Sequence, residues 1–448
     1  MPTNKTETAS SNEPPIVSRI GRWLSGRPIA LVAYIALCAF AVYSCMFGFR
    51  KAYTVGTYNN LVFLGISYKV CLVIAQALGY MSSKFYGIRF IAGLAAERRA
   101  GFILLFIGLA WSALLLFALV PPPYNILCLF LNGFPLGMVF GLVLGFVEGR
   151  RTSELIGAVL ATSFIFASGL AKTMGKWLQL DWQLTDWWMP FTTGAIFVVP
   201  LLLSVWLLRQ APPPAPADMA HRNKRYPMQA AERQQFLQQF GGSLVAIVLA
   251  YVIFTVVRDF SEDFANELWN ETGYRNKAGI FAKTGTIISI AVLAVIGSFF
   301  LIKNNYLAFR LSHFVMMGGV LLAAVATLAH QWQLITPFVW MLLAVAGMYL
   351  AYIPFNCIFF ERLLATYRVK GNVSFVMYIA DAFAYLGTVT VLLIKEFIPI
   401  HYSWTAFFSF LFYTAGILGT VLIAVSLLLH HRLYKRLPTE KPTDNLLG

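Results

Sequence analysis

The stretch YSCMFGFRK, residues 43–51, ends a long apolar run with two adjacent cations, and the stretch YVIFTVVRD, residues 251–259, repeats its spacing. In each stretch a tyrosine precedes an arginine by seven residues, nearly two helical turns. Tyr43 and Arg50 therefore share one helix face, as do Tyr251 and Arg258. A charged side chain inside a membrane span costs about 2.5–3.5 kcal/mol or more. The repetition of such a costly feature indicates two related halves and a function for the arginines.

The composition is that of a membrane protein. Of 448 residues, 59% are hydrophobic and 12% are charged, whereas about 25% are charged in an average soluble domain. Runs of about 20 apolar residues, the length that crosses a bilayer, predict an all-α protein with twelve transmembrane helices. They cover residues 28–52, 60–83, 100–121, 124–147, 154–176, 187–209, 241–261, 276–302, 307–329, 334–358, 371–394 and 403–430.

A basic, proline-rich stretch separates two groups of six spans. We predict a disordered cytoplasmic tail at 1–27, a six-helix bundle at 28–209, a cytoplasmic linker at 210–240, a second six-helix bundle at 241–430 and a cytoplasmic tail at 431–448. The first apolar run lacks a small-residue cleavage pattern, so we expect it to be retained as the first span.

The net charge of +15 follows the positive-inside rule. Lysines and arginines concentrate in the loops on the side of the N-terminus, whereas the opposite loops VPPPYN and HQWQL contain none. Both termini are therefore predicted to be cytoplasmic. The charge is explained by topology and by contact with the lipid bilayer, and no nucleic-acid partner is expected.

Metal and enzyme chemistry have little support in the sequence. The five cysteines lie singly in apolar runs, and the six histidines fall mainly at helix ends or in the linker. There is no HExxH, GxSxG or phosphate-binding glycine loop. We predict a protein that is not an enzyme, with no metal and no cofactor.

Two further segments repeat between the halves. GISYK ends in Lys69 and GIFAK ends in Lys283, and both lysines lie within predicted spans. GMVFGLVLGFVEGRR, residues 137–151, and GMYLAYIPFNCIFFER, residues 347–362, each bring a glutamate and an arginine to a cytoplasmic helix end. Repeats of this size place a binding site at the midplane between the halves, reached by alternating access. The second pair predicts salt bridges of a cytoplasmic gate, formed by Glu148, Arg151, Glu361 and Arg362.

Twelve spans, paired halves and a basic central linker together resemble the major facilitator superfamily, over roughly residues 25–435. Within it, FRKAY after the first span and VVRDF in the seventh resemble the organophosphate:phosphate antiporters. The chain is also similar to a bacterial group of the superfamily that has no assigned function. The resemblance implies the major facilitator fold, a bacterial inner membrane, and Arg50 and Arg258 as phosphate-facing arginines with Lys51 beside them. The superfamily signature after the second span is degenerate, since Ser83 replaces its acid.

The predicted substrate site gathers the cations around a tyrosine-rich lining. Arginine suits bidentate capture of phosphate or carboxylate because its planar fork stays charged. The lysines have an alternative, pairing with buried carboxylates or reaching the interface, and the tyrosines could simply pack. The predicted substrate-binding residues are Tyr43, Arg50, Lys51, Lys69, Lys172, Tyr251, Arg258, Lys283, Tyr352, Asn356 and Tyr385.

Three carboxylates are predicted to balance charge or couple transport to protons: Asp259, Glu262 and Asp381. Asp381 lies within the eleventh span, where it could neutralise Lys69 or Lys283, exchange a proton when access switches, or do both. The sequence thus predicts a monomeric secondary transporter of a small phosphorylated or carboxylated anion, exchanged for phosphate or coupled to protons. Two alternatives stay open: a lysophospholipid flippase, and a non-transporting anion sensor with a transporter fold.

Overall fold

The computed structural model describes residues 19–59, 61–92, 94–147, 150, 152–213, 230–369, 374–397 and 403–436. We call residues 19–213 the first half and residues 230–436 the second half. Within these ranges the chain is almost entirely helical, and its strands are limited to the two-residue pair β1 (Val62–Phe63) and β2 (Ile66–Ser67).

Seven α-helices form the first half. They are α1 (Arg19–Ser25), α2 (Pro28–Gly48), α3 (Tyr68–Ala92), α4 (Arg99–Leu119), α5 (Ile126–Val147), α6 (Ser153–Leu180) and α7 (Met189–Arg209). Short 3-10 turns at Ala52–Val55 and Ala96–Arg98 follow α2 and precede α4.

Nine α-helices form the second half. They are α8 (Ala230–Asp263), α9 (Ala265–Glu271), α10 (Ile280–Gly297), α11 (Asn305–Gln331), α12 (Pro337–Cys357), α13 (Phe359–Thr366), α14 (Ser374–Phe397), α15 (Trp404–Thr414) and α16 (Thr420–Lys435). A 3-10 turn at Ser298–Leu301 ends α10, and a π-turn at Ala415–Gly419 joins α15 to α16.

Ten helical segments of the described chain are long and apolar enough to cross a membrane. Helices α3 and α14 occupy the positions of the predicted second and eleventh spans and are 25 and 24 residues long. The predicted all-helical membrane architecture is confirmed, while the count of twelve spans in two bundles stays a prediction.

The two halves meet through a small set of helices. Helix α3 packs against α14, and α6 packs against α10 and α12. The contact between α6 and α10 is close because both helices carry glycine there: a Cβ at Gly169 would overlap the carbonyl oxygen of Phe281, and one at Gly285 would lie 3.0 Å from that of Ile165. Glycine therefore sets the distance between the halves.

Replacing Gly169 with valine is expected to destabilise the protein by about 1–3 kcal/mol, because the added atoms force α6 and α10 apart. Thermal unfolding of the purified full-length chain measures the effect. Gly157→Val is the matched control, since Gly157 lies on the same helix with no atom within 4 Å of its added Cβ. Equal unfolding temperatures for the two variants would refute the close-contact explanation.

Several predicted boundaries are wrong. Residues 61–67, expected to begin the second span, instead form the β1–β2 hairpin, whose two-residue turn places Leu64 and Gly65 at φ +54° and +79°. The predicted linker and tails also contain helix: α8 begins at Ala230, α16 continues to Lys435, and α1 occupies Arg19–Ser25. Residues 1–18, 214–229 and 437–448 lie outside the described ranges.

Candidate functional site

A cavity of about 80 Å³, measured as the space open to the centre of a water molecule, lies between the two halves. The first half contributes one wall through α2, α3, α5 and α6, and the second half contributes the other through α8, α12 and α14. The lining residues are Tyr43, Phe47, Arg50, Lys51, Tyr80, Lys84, Phe140, Phe164, Arg258, Asp259, Glu262, Tyr349, Tyr352, Asn356, Asp381 and Tyr385.

The two repeated arginines occupy equivalent surroundings in this cavity. The guanidinium carbon of Arg50 lies 4.0 Å from the ring centre of Tyr80, and that of Arg258 lies 4.1 Å from the ring centre of Tyr352. Stacking on an aromatic face holds a guanidinium in place without using all its hydrogen-bond donors. Both arginines can therefore still donate to a bound anion.

The backbone around Arg50 is fixed by two buried amides. Helix α2 ends at Gly48, and the amide N of Arg50 donates to the carbonyl oxygen of Phe47 at 3.0 Å. Gln76 donates to the carbonyl oxygen of Arg50 at 2.9 Å, and Asn132 donates to that of Phe49 at 3.0 Å. These bonds satisfy carbonyls that the helix end leaves open, and they fix the backbone of Arg50 at the cavity wall.

The two arginines differ in their ion pairing. Arg258 donates from both Nε and Nη2 to the neighbouring carboxylate of Asp259, with Nε 3.1 Å from Oδ1. Arg50 forms no ion pair with any described carboxylate, and its buried Nε has no hydrogen-bond partner. A buried donor without a partner is costly, so the Nε–H of Arg50 can still donate to an acceptor in the cavity.

Asp381 pairs with Lys84, which follows the last residue of the predicted second span at 60–83. Its carboxylate accepts from the Tyr251 hydroxyl at 2.6 Å and lies 3.7 Å from Nζ of Lys84. The predicted pairing with Lys69 or Lys283 is wrong, because α3 and α14 meet near Lys84. Asp381 therefore connects the two halves within the cavity.

Three predicted substrate-binding lysines form ion pairs with the second half. Lys51 pairs with Asp263, Lys69 pairs with Glu267, and Nζ of Lys172 lies 2.5 Å from Glu262. Of the three, only Lys51 lines the cavity. Their charges are already compensated across the interface, so they match the alternative of structural pairing.

Lys283 lies apart from these pairs. Its side chain is exposed, and its ammonium nitrogen is 5.1 Å from the ring centre of Phe338. It does not line the cavity. The repeat with Lys69 therefore does not extend to an equivalent position in the site.

The carboxylate Glu262 and the predicted tyrosines complete the lining. Glu262 accepts from Ser168 and Tyr349 in addition to Lys172. Tyr251 is buried behind the cavity wall, with its ring stacked on Tyr352 at 5.5 Å. Three other predicted residues line the cavity: Tyr43, Asn356 and Tyr385.

The predicted gate is only partly within the described chain. Glu148 and Arg151 lie outside it. Arg362 is buried and donates to Asn305 Oδ1 at 2.8 Å and to the carbonyl oxygen of Phe299 at 3.3 Å, whereas Glu361 is exposed. Both of these contacts of Arg362 are with residues of the second half.

Sequence reasoning missed Tyr80 and Lys84, together with three phenylalanines of the wall. Lys84 falls just after the predicted second span, which ends at residue 83, yet α3 continues to Ala92. One signal was present: Tyr80 follows Lys69 by eleven residues, three helical turns, and therefore shares its face. The phenylalanines, Phe47, Phe140 and Phe164, had no such signal, because apolar residues occur on every face of these helices.

The family of unknown function DUF5690 matches residues 52–432. The chain belongs to that family. The matched range contains most of the first half, nearly all of the second and every lining residue of the cavity from Tyr80 onward, whereas the lining residues Tyr43, Phe47, Arg50 and Lys51 precede it. No curated protein matches the chain.

Solved structures of low sequence identity share the fold. The crystal structure of a D-xylose-proton symporter matches with TM-score 0.58 at 17% identity, covering 88% of this chain and 97% of that one. The nucleoside transporter NupG matches at 14% identity and TM-score 0.57, covering 88% and 98%. A bacterial homologue of the human drug peptide transporters PepT1 and PepT2 matches at 14% identity and TM-score 0.59, covering 90% and 99%. The chain thus has a major-facilitator-like fold.

Proposed function

We propose that this protein is a secondary active transporter of a small organic anion, which binds in the cavity between the halves. The observation that carries the proposal is Arg50, a partly buried cation at the wall of that cavity, whose Nε is buried and which pairs with no carboxylate among the described residues. A buried charge is normally paired or functional. An anionic substrate would supply the missing partner.

Arg258 is proposed as the second anion-binding residue. It lines the same cavity as Arg50, stacks on a tyrosine in the same way, and comes from the repeated stretch of the other half. A substrate that bridges the two arginines would hold the halves together, and its release would let them separate. This is the link between binding and alternating access that a transporter needs.

We further propose the topology on which such transport depends. Twelve spans in two six-helix bundles, with both termini in the cytoplasm of a bacterial inner membrane, agree with the ten apolar helices, the two further long helices α3 and α14, and the charge bias of the loops. In this topology Lys51, Asp263, Lys69 and Glu267 lie toward the outer face. Their ion pairs would close the cavity on that side.

Uptake into proteoliposomes tests the function. The purified full-length protein is reconstituted, and uptake of radiolabelled carboxylate and phosphate-ester metabolites is compared with protein-free liposomes, with and without internal phosphate and with and without a pH gradient. We expect saturable uptake of at least one organic anion, stimulated by one of the two gradients. Saturable binding without flux under every gradient would instead support the sensor alternative.

Asp381 is proposed to couple uptake to protons, because it faces the cavity and contacts both halves through Tyr251 and Lys84. Asp381→Asn cannot release a proton. We therefore expect stimulation by an inwardly directed proton gradient, with the exterior acidic, to disappear while exchange at equal pH persists. The matched control is Asp181→Asn, at an exposed position after α6. Unchanged gradient dependence in Asp381→Asn would exclude this carboxylate as the coupling group.

A further inference from the structure

The described lining of the cavity carries an excess of one positive charge. Its described lining contains four cations, Arg50, Lys51, Lys84 and Arg258, and three carboxylates, Asp259, Glu262 and Asp381. The two charged residues just behind the lining, Asp263 and Lys172, cancel each other and leave the excess unchanged.

The ion pairs of the cavity show which residue carries the excess positive charge. Lys51 with Asp263, Lys84 with Asp381, Arg258 with Asp259 and Lys172 with Glu262 are each within ion-pair distance. Arg50 has no carboxylate partner among the described residues, and its Nε is buried without a hydrogen-bond partner. A ligand that brings one negative charge would neutralise the cavity, whereas a second negative charge would meet no free cation.

Arg258 is not readily available for a second charge. The Asp259 carboxylate that neutralises it also accepts from Oγ1 of Thr388 at 3.1 Å, a buried hydroxyl on α14. The Asp259 carboxylate is thus fixed by Arg258 at one oxygen and by Thr388 at the other. Arg258 can donate to a ligand as a hydrogen-bonding group, but its charge is already balanced.

The wall beside Arg50 is aromatic. The rings of Phe140 and Phe164 lie 5.4 and 5.2 Å from that of Tyr43, and Phe47 lies 5.5 Å from Tyr43. On the opposite wall are the rings of Tyr349, Tyr352 and Tyr385. Such surfaces bind apolar or aromatic bodies by stacking and area burial.

We propose that the substrate is a monovalent organic anion with an apolar or aromatic body, a carboxylate or a phosphodiester, and that dianionic phosphate monoesters are disfavoured. This inference rests on the proposed function and specifies its substrate class. It departs from the phosphate-monoester preference implied by the resemblance to organophosphate antiporters, since only one of the two arginines has a free charge.

Three probes of matched body separate charge from head-group chemistry. They are 3-phenylpropanoate, a monovalent carboxylate; methyl phenyl phosphate, a monovalent phosphodiester; and phenyl phosphate, which is mainly divalent at about pH 7.5 because its second pKa is about 6. Binding to the purified full-length protein is measured by isothermal titration calorimetry. We expect at least one monovalent probe to bind at least about tenfold more tightly than phenyl phosphate.

Asp259→Asn provides the charge-shift variant, because asparagine keeps the size of the side chain and its acceptor for Thr388 while releasing the charge of Arg258. We expect the preference to move at least about tenfold toward phenyl phosphate. Asp259→Glu keeps the charge and is expected to keep the monovalent preference.

The outcomes distinguish the two levels of the proposal. Phenyl phosphate binding as tightly as the monovalent probes to the unmodified protein would overturn the charge inference and leave an anion-binding transporter. Failure of all three probes to bind up to their solubility limits, together with no anion uptake in proteoliposomes, would overturn both. The comparison on the unmodified protein does not depend on any variant folding.

Discussion

Replacing Arg50 with glutamine is expected to abolish saturable anion uptake in proteoliposomes. The variant removes the one cavity cation that has no carboxylate partner among the described residues, so a bound anion would lose its counter-charge. Losing one partner of a buried charge pair costs about 2–5 kcal/mol, which corresponds to a loss in affinity of about 30-fold or more. Direct calorimetric titration with 3-phenylpropanoate measures the affinity separately from transport.

Two companion variants define what Arg50 supplies. Arg50→Lys keeps the charge but loses the planar fork and its stacking on Tyr80, so we expect intermediate affinity. Arg209→Gln removes an exposed arginine at the end of α7 and is expected to leave uptake unchanged. Uptake by Arg50→Gln at the level of the unmodified protein would show that the anion does not use this arginine.

Replacing Lys51 with alanine is expected to destabilise the protein by about 3–5 kcal/mol, the cost of leaving a buried charge unpaired. The ion pair joins the two halves, with only 8% of the Lys51 side chain and 9% of the Asp263 side chain exposed. Removal of the lysine leaves the Asp263 carboxylate between the halves without its counter-charge. Thermal unfolding of the purified full-length variant should show a large decrease in midpoint temperature.

The double variant Lys51→Ala/Asp263→Ala separates pairing from packing. With both charges removed, no buried charge is left alone, so we expect the double variant to be more stable than Lys51→Ala and close to the unmodified protein. Equal destabilisation in the single and double variants would mean that the lysine acts through packing of its aliphatic chain.

The sequence was sufficient for the helical architecture because each span is long and apolar enough to be recognised without its neighbours. It also identified both arginines, since the seven-residue spacing from tyrosine recurs in Tyr43–Arg50 and Tyr251–Arg258 and helix geometry fixes which face they share. The structure brings both arginines to one cavity. Their binding role remains a proposal.

The partners of the lysines could not be predicted in the same way. Lys69 pairs with Glu267 and Lys51 with Asp263, each about two hundred residues away in sequence, and such contacts depend on how the two halves dock. Helix periodicity gives the face of a residue but not its depth relative to another helix. Lys283 illustrates the limit, because its sequence context matches that of Lys69 but its side chain is exposed.

The hairpin before α3 was missed for a different reason. Residues 61–67 are apolar enough to extend a span, and the turn signal was a single glycine, Gly65, preceded by Leu64 in a conformation unusual for leucine. Composition alone favoured helix there. Hairpin formation depends on the local backbone and on contacts such as the bond from the Ser67 amide to Glu396 of the other half, at 2.8 Å.

The central claim, that Arg50 binds the substrate anion between the halves, is tested most directly by an experimental structure of the full-length protein with 3-phenylpropanoate bound. We expect the carboxylate within about 3 Å of the Arg50 guanidinium, with the phenyl ring against the aromatic wall of Tyr43, Phe47, Phe140 and Phe164. A probe bound outside this cavity, or bound inside it with Arg50 making no contact, would contradict the claim.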